Sequence, residues 1–88
     1  MKYLIAIYRT KTGYSASSPD VDGCVATGRT IEETTKNIKV ALRFHLESMK
    51  NDKEEIPKPR NIVDNLQEYA NANYFMFFDS SEKKGSYD

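Results

Sequence analysis

The stretch Tyr-Leu-Ile-Ala-Ile-Tyr at residues 3–8 decides the fold of this 88-residue chain. Successive side chains of a strand point to opposite faces, and this stretch is apolar on both faces. Such a strand must be covered on two sides, which predicts that residues 3–8 form the centre of a sheet. The next residues, 11–13, predict a turn, and the weaker alternation at 14–18 predicts the second strand of a hairpin.

A proline and an Asp-Gly pair interrupt the pattern at residues 19–23, before a third strand predicted at 24–27. Pro19 lacks a backbone donor, and Gly23 allows the positive dihedral angles of a tight turn. We expect Asp20 and Asp22 to bond to the local backbone, as aspartates in turns commonly do. This stretch is therefore predicted to be a structural turn.

A long helix is predicted from residue 31 to about residue 51. The stretch Thr-Ile-Glu-Glu at 30–33 is a capping box, in which Thr30 and Glu33 satisfy free N–H groups at the start of the helix. Apolar and small residues then recur at steps of three and four, which predicts one buried stripe. The stripe consists of Ile31, Thr34, Ile38, Ala41, Leu42, His45, Leu46 and Met49.

The second half of the chain predicts a surface connection, a short helix and a last strand. Two prolines and many charges at residues 51–60 indicate an extended connection. A second helix is predicted over 61–70, because Asn61 can cap it and apolar residues follow on one side. The aromatic run at 74–78 is typical of a strand. The apolar side of the second helix consists of Ile62, Val63, Leu66, Tyr69 and Ala70.

These elements predict an α+β domain with the order β-β-β-α-α-β. If the last strand pairs beside the first, as two strongly apolar strands favour, the sheet order is 3-2-1-4 and the last connection is a right-handed crossover. The long helix covers one face of this sheet, and the other face stays partly bare. We expect residues 1–79 to form the domain and residues 80–88 to form a polar tail.

Composition excludes several classes of function. The 13 basic and 13 acidic residues give a formal net charge of zero, so the chain lacks the positive bias of a nucleic-acid-binding domain. The single cysteine forms no internal disulfide, which fits the cytoplasm. The apolar run near the N-terminus is too short for a signal peptide or a membrane span, so we expect neither export nor membrane insertion.

No set of residues predicts catalysis, a metal site or a cofactor. Cys24 needs a neighbouring base to act as a nucleophile, and the single histidine, His45, lies on the inward stripe of the long helix. Asp20 and Asp22 lack a third oxygen ligand at the spacing of a calcium loop. We therefore expect Cys24 to be a buried residue of the third strand, and we assign no catalytic, metal or cofactor residue.

The first half of the chain resembles the HicB-like antitoxin family. The shared pattern is a strand, a Gly-Tyr-Ser-Ala strand, the sequence Pro-Asp-x-x-Gly-Cys, and Thr-x-Glu-Glu at the start of a helix. Residues 1–50 resemble the family closely, and EIPKPR at 55–60 and NYFMFFD at 73–79 are also similar. The pattern is carried by Gly13, Tyr14, Ser15, Ala16, Pro19, Asp20, Gly23, Cys24, Thr30, Glu32, Glu33 and Asn37.

This resemblance implies a partial ribonuclease H-like fold without nuclease activity, in a cytoplasmic antitoxin. The implied partner is a small HicA-like toxin that cleaves RNA and is neutralised by steric cover of its catalytic surface. A toxin that grips RNA is basic, so an acidic partner-binding patch is expected. We predict that Asp20, Asp22, Glu32 and Glu33 form this patch at one end of the sheet and helix.

The sequence departs from the family pattern in two places, and it leaves three alternative functions open. Val21-Asp22-Gly23 stands where many relatives have Leu-Pro-Gly. The chain stops before the DNA-binding domain that many relatives carry, so we expect no nucleic-acid binding by this chain alone. The alternatives are an orphan homo-oligomeric binding domain without a toxin, a truncated regulator of an operator-binding system, and a degenerate nuclease.

Two apolar residues of the long helix, Val40 and Phe44, fall outside its buried stripe. At about 100° per residue they lie on the far side of the helix, where they are predicted to be exposed in a monomer. Exposed apolar residues are common, and Phe44 can simply lie against lysine and arginine stems or the prolines of the connection. The alternative is that Val40 and Phe44 form a self-association surface of a homodimer or higher oligomer.

Overall fold

Four strands and one long helix make up the part of the chain that this computed structural model describes, residues 1–60 and 69–81. The strands form one antiparallel sheet in the order β3-β2-β1-β4, which confirms the predicted order 3-2-1-4. The elements are β1 (Lys2–Arg9), β2 (Tyr14–Ser17), β3 (Val25–Gly28), α1 (Ile31–Asn51) and β4 (Tyr74–Asp79).

The central position of β1 follows from its two apolar faces. On one face, Tyr3, Ile5 and Ile7 are buried beneath α1, and this face holds the main core. The register places Ile7 opposite both Ala16 of β2 and Tyr74 of β4, so the neighbouring strands extend the same face. The buried residues of this core are Tyr3, Ile5, Ile7, Ala16, Val21, Cys24, Ile38, Leu42, Leu46 and Phe78.

The helix α1 has the predicted bounds, and its start is held by local bonds. The Oγ1 of Thr30 accepts from the backbone N–H of Glu33 at 3.0 Å, as expected of an N-cap. The Asn37 side chain donates to the carbonyl of Thr27 at 2.8 Å and so fixes α1 to the edge strand β3. A Cβ on Gly28 would lie 2.5 Å from the Oγ1 of Thr34, so the approach of β3 to α1 requires glycine there.

The second face of the sheet is covered only in part. Leu4 and Ala6 of β1 are buried there against Tyr69, whose ring meets the Phe75 ring edge-on at 5.7 Å. Phe75 and Phe77 lie on this face of β4, and their side chains are 47% and 53% exposed. The expectation of a partly bare face is therefore confirmed for the described residues.

The structure differs from the sequence predictions in three places. Cys24 lies before β3, because its backbone N–H bonds to the Val21 carbonyl of the preceding turn at 3.3 Å. β4 runs antiparallel to β1. The rule behind the predicted right-handed crossover governs connections between parallel strands, so it does not apply to the connection before β4. Tyr69 and Ala70, at the end of the predicted second helix, lie in a turn. Residues 61–68 of that predicted helix and residues 82–88 of the predicted tail lie outside the described residues.

Candidate functional site

The turn at residues 18–24 is anchored by three buried residues, Ser18, Val21 and Cys24. Ser18 is buried, and its Oγ donates to the Leu4 carbonyl of β1 at 2.8 Å. The Ser18 carbonyl in turn accepts from the backbone N–H of Val21 at 3.0 Å. Gly23 has φ of 77°, a left-handed conformation that favours glycine. Val21 and Cys24 pack into the core and so fix the turn to the sheet, while Asp22 and Gly23 between them are exposed.

The Asp20 carboxylate ties this turn to the connection that follows α1. One carboxylate oxygen accepts from the Arg60 Nε at 2.8 Å, and the other accepts from the Arg60 backbone N–H at 3.2 Å. The Asp20 side chain is only 1% exposed, whereas that of Arg60 is 41% exposed. The prediction that Asp20 bonds to the local backbone is therefore wrong, since its partner is 40 residues away.

A second contact holds the same connection against the sheet. The Tyr3 hydroxyl donates to the Pro57 carbonyl at 2.6 Å, and Ile56 packs on the main core. Burial, and secondarily the negative charge of Asp20, raise the pKa of the Tyr3 phenol above its usual value. The neutral phenol is therefore kept as a donor, and the segment at residues 54–60 is anchored at both Pro57 and Arg60.

Cys24 is buried in the main core. Burial raises the pKa of the Cys24 thiol, which disfavours the reactive thiolate. His45 is half-buried on α1, as its place on the inward stripe predicts. Among residues 1–60 and 69–81, no group of three or more histidine, cysteine, aspartate or glutamate side chains is placed to hold a metal ion.

The acidic residues predicted as one patch lie at two ends of the sheet. Asp20 and Asp22 precede Val25, at the end of β3 that pairs with Ser17, whereas Glu32 and Glu33 follow the opposite end of β3. The four residues of β3 span about 10 Å from the first Cα atom to the last. The prediction of a single cluster is therefore wrong in its geometry. Binding of a partner by these residues stays a prediction.

The environments of these four carboxylates also differ. Asp20 is turned inward onto Arg60, whereas Asp22 is exposed at the tip of its turn. Glu32 and Glu33 are exposed in the first turn of α1, where the helix dipole favours negative charge. Glu33 lines a polar cleft of about 610 Å³ together with Arg29 and other residues between α1 and the sheet edge. Three of the four carboxylates are thus available to a partner.

Val40 and Phe44 are exposed on the outer side of α1, as predicted. Val40 is 62% exposed and Phe44 is 72% exposed, the highest exposure among the large apolar residues described. These side chains lie opposite Ile38 and Leu42, which are fully buried on the inner side. The outer side of α1 is therefore a second candidate binding surface.

The sequence pattern does not predict Arg60 as the side chain that binds the turn. Nothing in the local spacing of residues 18–24 points to a cation 40 positions later. The one available signal was the placement of Arg60 directly after two prolines, which hold a chain extended and able to lie along a surface.

None of the helices in the described ranges is long and apolar enough to cross a membrane.

Comparison with known proteins gives one family and several similar structures. Residues 3–80 match the profile of the HicB-like antitoxin of bacterial toxin–antitoxin systems. An uncharacterised 14.9 kDa protein of Haemophilus phage HP1, from the rep-hol intergenic region, is 45% identical over 62 residues, which are 70% of this chain and 47% of the phage protein. The chain thus spans about half the length of that relative.

Two solved structures resemble the fold over most of the chain. A chain of the HicA3 and HicB3 toxin–antitoxin complex is 28% identical with a TM-score of 0.68, over 90% of this chain and 96% of that one. The N-terminal domain of the Burkholderia pseudomallei antitoxin HicB is 26% identical with a TM-score of 0.77, over the same two shares.

Proposed function

This chain belongs to the HicB-like antitoxin family of bacterial toxin–antitoxin systems, and on that premise we propose that it binds and neutralises a small HicA-like toxin. The observation that carries the proposal is the family match over residues 3–80, together with the likeness to a chain of a HicA3 and HicB3 complex. We place this activity in the cytoplasm, where such a toxin meets its RNA.

Inhibition by this chain is steric in our proposal. The toxin binds RNA and therefore presents a basic surface, which a protein with exposed carboxylates can cover. Asp22 at one end of β3, and Glu32 with Glu33 at the other end, supply such carboxylates. Asp20 serves the fold, because its carboxylate is committed to Arg60. The chain contributes no catalysis and binds no nucleic acid by itself.

The experiment pairs this chain with a candidate HicA-like toxin from the same organism. Co-expression is expected to restore growth of cells that carry the toxin, and titration calorimetry is expected to show a complex. Absence of both effects would contradict the proposal, and the orphan homo-oligomeric domain would then be the better account.

Charge reversal at each end distinguishes the two acidic sites. The double variant Glu32→Lys with Glu33→Lys and the single variant Asp22→Lys test one end each, with circular dichroism to confirm the fold. We expect the variant at the end of β3 that contacts the toxin to weaken toxin binding by about tenfold or more, because it removes a charge pair from the interface. If neither variant changes the affinity, the toxin does not contact these carboxylates.

A further inference from the structure

The two edges of the sheet differ in how their backbone groups are satisfied. β3 forms one edge and is four residues long, whereas β4 forms the other edge and is six residues long. Hydrogen bonds between antiparallel strands alternate, so every second residue of an edge strand directs its N–H and C=O away from the sheet. These outward groups decide whether the edge can pair with another strand.

The outward residues of β4 are Phe75, Phe77 and Asp79. The Ser80 backbone N–H donates to the Met1 carbonyl at 2.9 Å, so these two residues continue the register of β1 with β4 as a hydrogen-bonded pair. Because such pairs recur at every second position, the even-numbered residues of β4 bond to β1 and the odd-numbered residues face outward.

The outward groups of β4 have no partner in the part of the chain that the structure describes. No hydrogen bond there reaches the backbone N–H or C=O of Phe75, Phe77 or Asp79. The Phe75 and Phe77 side chains are also 47% and 53% exposed. The strand contains neither proline nor lysine, which commonly protect an edge from pairing. β4 is therefore an open edge.

The opposite edge, β3, is partly closed by α1. The Thr10 N–H donates to the Gly13 carbonyl at 2.8 Å, and the same alternation followed through β2 makes Thr27 an outward residue of β3. The Asn37 side chain donates to the Thr27 carbonyl at 2.8 Å and so occupies that outward group. Of the two edges, β4 is the one open to pairing.

The open edge also has a charge that suits a basic partner. Asp79 is the charged residue of β4, and Lys2, opposite it in the register, forms no ion pair with it. The Ser81 hydroxyl donates to the Asp79 Oδ1 at 2.6 Å, and the Ser81 backbone N–H donates to the same oxygen at 2.9 Å. These bonds lower the pKa of Asp79, so the carboxylate is ionised at neutral pH.

We propose that an extended segment of the HicA-like toxin pairs with β4 and adds a fifth strand to the sheet. The backbone of this segment bonds to the outward groups of Phe75, Phe77 and Asp79, and its apolar side chains cover the two phenylalanine rings. A basic side chain of the toxin lies beside Asp79. This inference rests on the proposed function and names the surface that the toxin contacts.

Amide hydrogen exchange followed by NMR tests the proposal, with a candidate HicA-like toxin from the same organism as the probe. In the free chain the outward amides of Phe75 and Phe77 are expected to exchange rapidly. In the complex they are expected to exchange at least about tenfold more slowly, because each donates to the added strand. The Thr27 amide, outward on β3, is the internal control and is expected to keep its rate.

Proline substitution tests the backbone contact itself. Phe77→Pro removes an outward N–H but no bond to β1, and it is expected to weaken toxin binding by about tenfold or more. Thr27→Pro makes the same change on β3 and is expected to leave the affinity unchanged. Circular dichroism checks that both variants fold. If Phe77→Pro does not fold, Phe77→Lys replaces it, because an edge lysine also opposes strand pairing.

Four outcomes would overturn the proposal. Unchanged exchange at Phe75 and Phe77 in a complex that forms, or equal toxin affinity of wild type and the folded Phe77 variant, would place the toxin elsewhere and leave the proposed function intact. Slow exchange of these amides in the free chain that becomes faster on dilution would assign the edge to a second copy. A toxin that does not bind the wild-type chain would contradict the proposed function as well.

Discussion

The Asp20 carboxylate joins two segments that are 40 residues apart, and it does so from a buried position. We expect Asp20→Ala to lower the free energy of unfolding by about 1–3 kcal/mol, the cost of two charge-assisted hydrogen bonds. The loss stays in this range because the Arg60 side chain is 41% exposed and water can solvate it after the change. Urea unfolding followed by circular dichroism measures the effect.

Asp22→Ala is the matched control for this change. Asp22 lies two residues away in the same turn and is exposed. Its removal is expected to alter the free energy of unfolding by less than about 0.5 kcal/mol. Equal losses in the two variants would mean that the Arg60 contact adds nothing to stability.

The Cys24 thiol is 5% exposed, and burial raises its pKa. We expect native protein to react with Ellman's reagent at least about 100-fold more slowly than protein unfolded in urea, because the thiol must first become exposed. Cys24→Ser is expected to leave toxin binding unchanged. Rapid reaction of the native thiol, or loss of binding in a folded Cys24→Ser variant, would show a functional role for Cys24.

For single residues, the sequence predicts backbone conformation and burial better than it predicts which side chains contact each other. The turn at Gly23 and the burial of Cys24 followed from residue type and local pattern. The partner of Asp20 did not, because an ion pair across 40 residues depends on where α1 ends and how the next segment returns. The separation of Asp22 from Glu32 and Glu33 likewise became clear only from the register of β2 with β3.

The strand β4 presents one face to the main core and the other face to a partly covered surface. Phe78 is 2% exposed and Phe77 is 53% exposed, although the two are neighbours in sequence. Phe78→Ala is expected to lower the free energy of unfolding by about 3–5 kcal/mol, because it removes a buried ring and leaves a cavity. Phe77→Ala is expected to cost less than about 1 kcal/mol.

Thermal or urea unfolding of the two phenylalanine variants measures this difference. A larger loss for Phe77→Ala would mean that the outer face of β4 is buried in solution. Chemical shifts of the aromatic rings in the wild type give an independent check on which ring lies in the core.

The helix and the order of strands in the sheet were predictable from the sequence, but the first and last residues of each strand were not. A capping box and a long apolar periodicity define α1, and the double apolarity of β1 places it beside β4. The third strand predicted at 24–27 includes Cys24, but the Val21 carbonyl holds Cys24 in the turn. Strand limits depend on such backbone bonds, which side-chain patterns do not show.

The stability of the whole molecule is expected to fall in alkaline solution. The folded state binds the Tyr3 phenolic proton more tightly than the unfolded chain, because burial raises the pKa of Tyr3. This contribution is fully present below a pH of about 10, the unfolded value, and is lost as the pH rises through the raised pKa. The Cys24 thiol, whose pKa is raised by burial, acts in the same direction.

Urea midpoints measured between neutral and strongly alkaline pH test this dependence. Tyr3→Phe removes the bond to Pro57 and is expected to cost about 1 kcal/mol at neutral pH. It is also expected to flatten the alkaline loss, because phenylalanine does not ionise. An equally steep loss in Tyr3→Phe would assign the dependence to other groups.

The contact between Met1 and Ser80 has a consequence for how the chain tolerates being cut and rejoined. The Ser80 backbone N–H donates to the Met1 carbonyl at 2.9 Å, so the two ends of the sheet touch. A short linker can therefore close residues 1–81 into a ring, and the exposed turn at Lys11 and Thr12 offers new termini. A circular permutant of this kind would keep every strand pairing while making the β1–β4 pair a local hairpin.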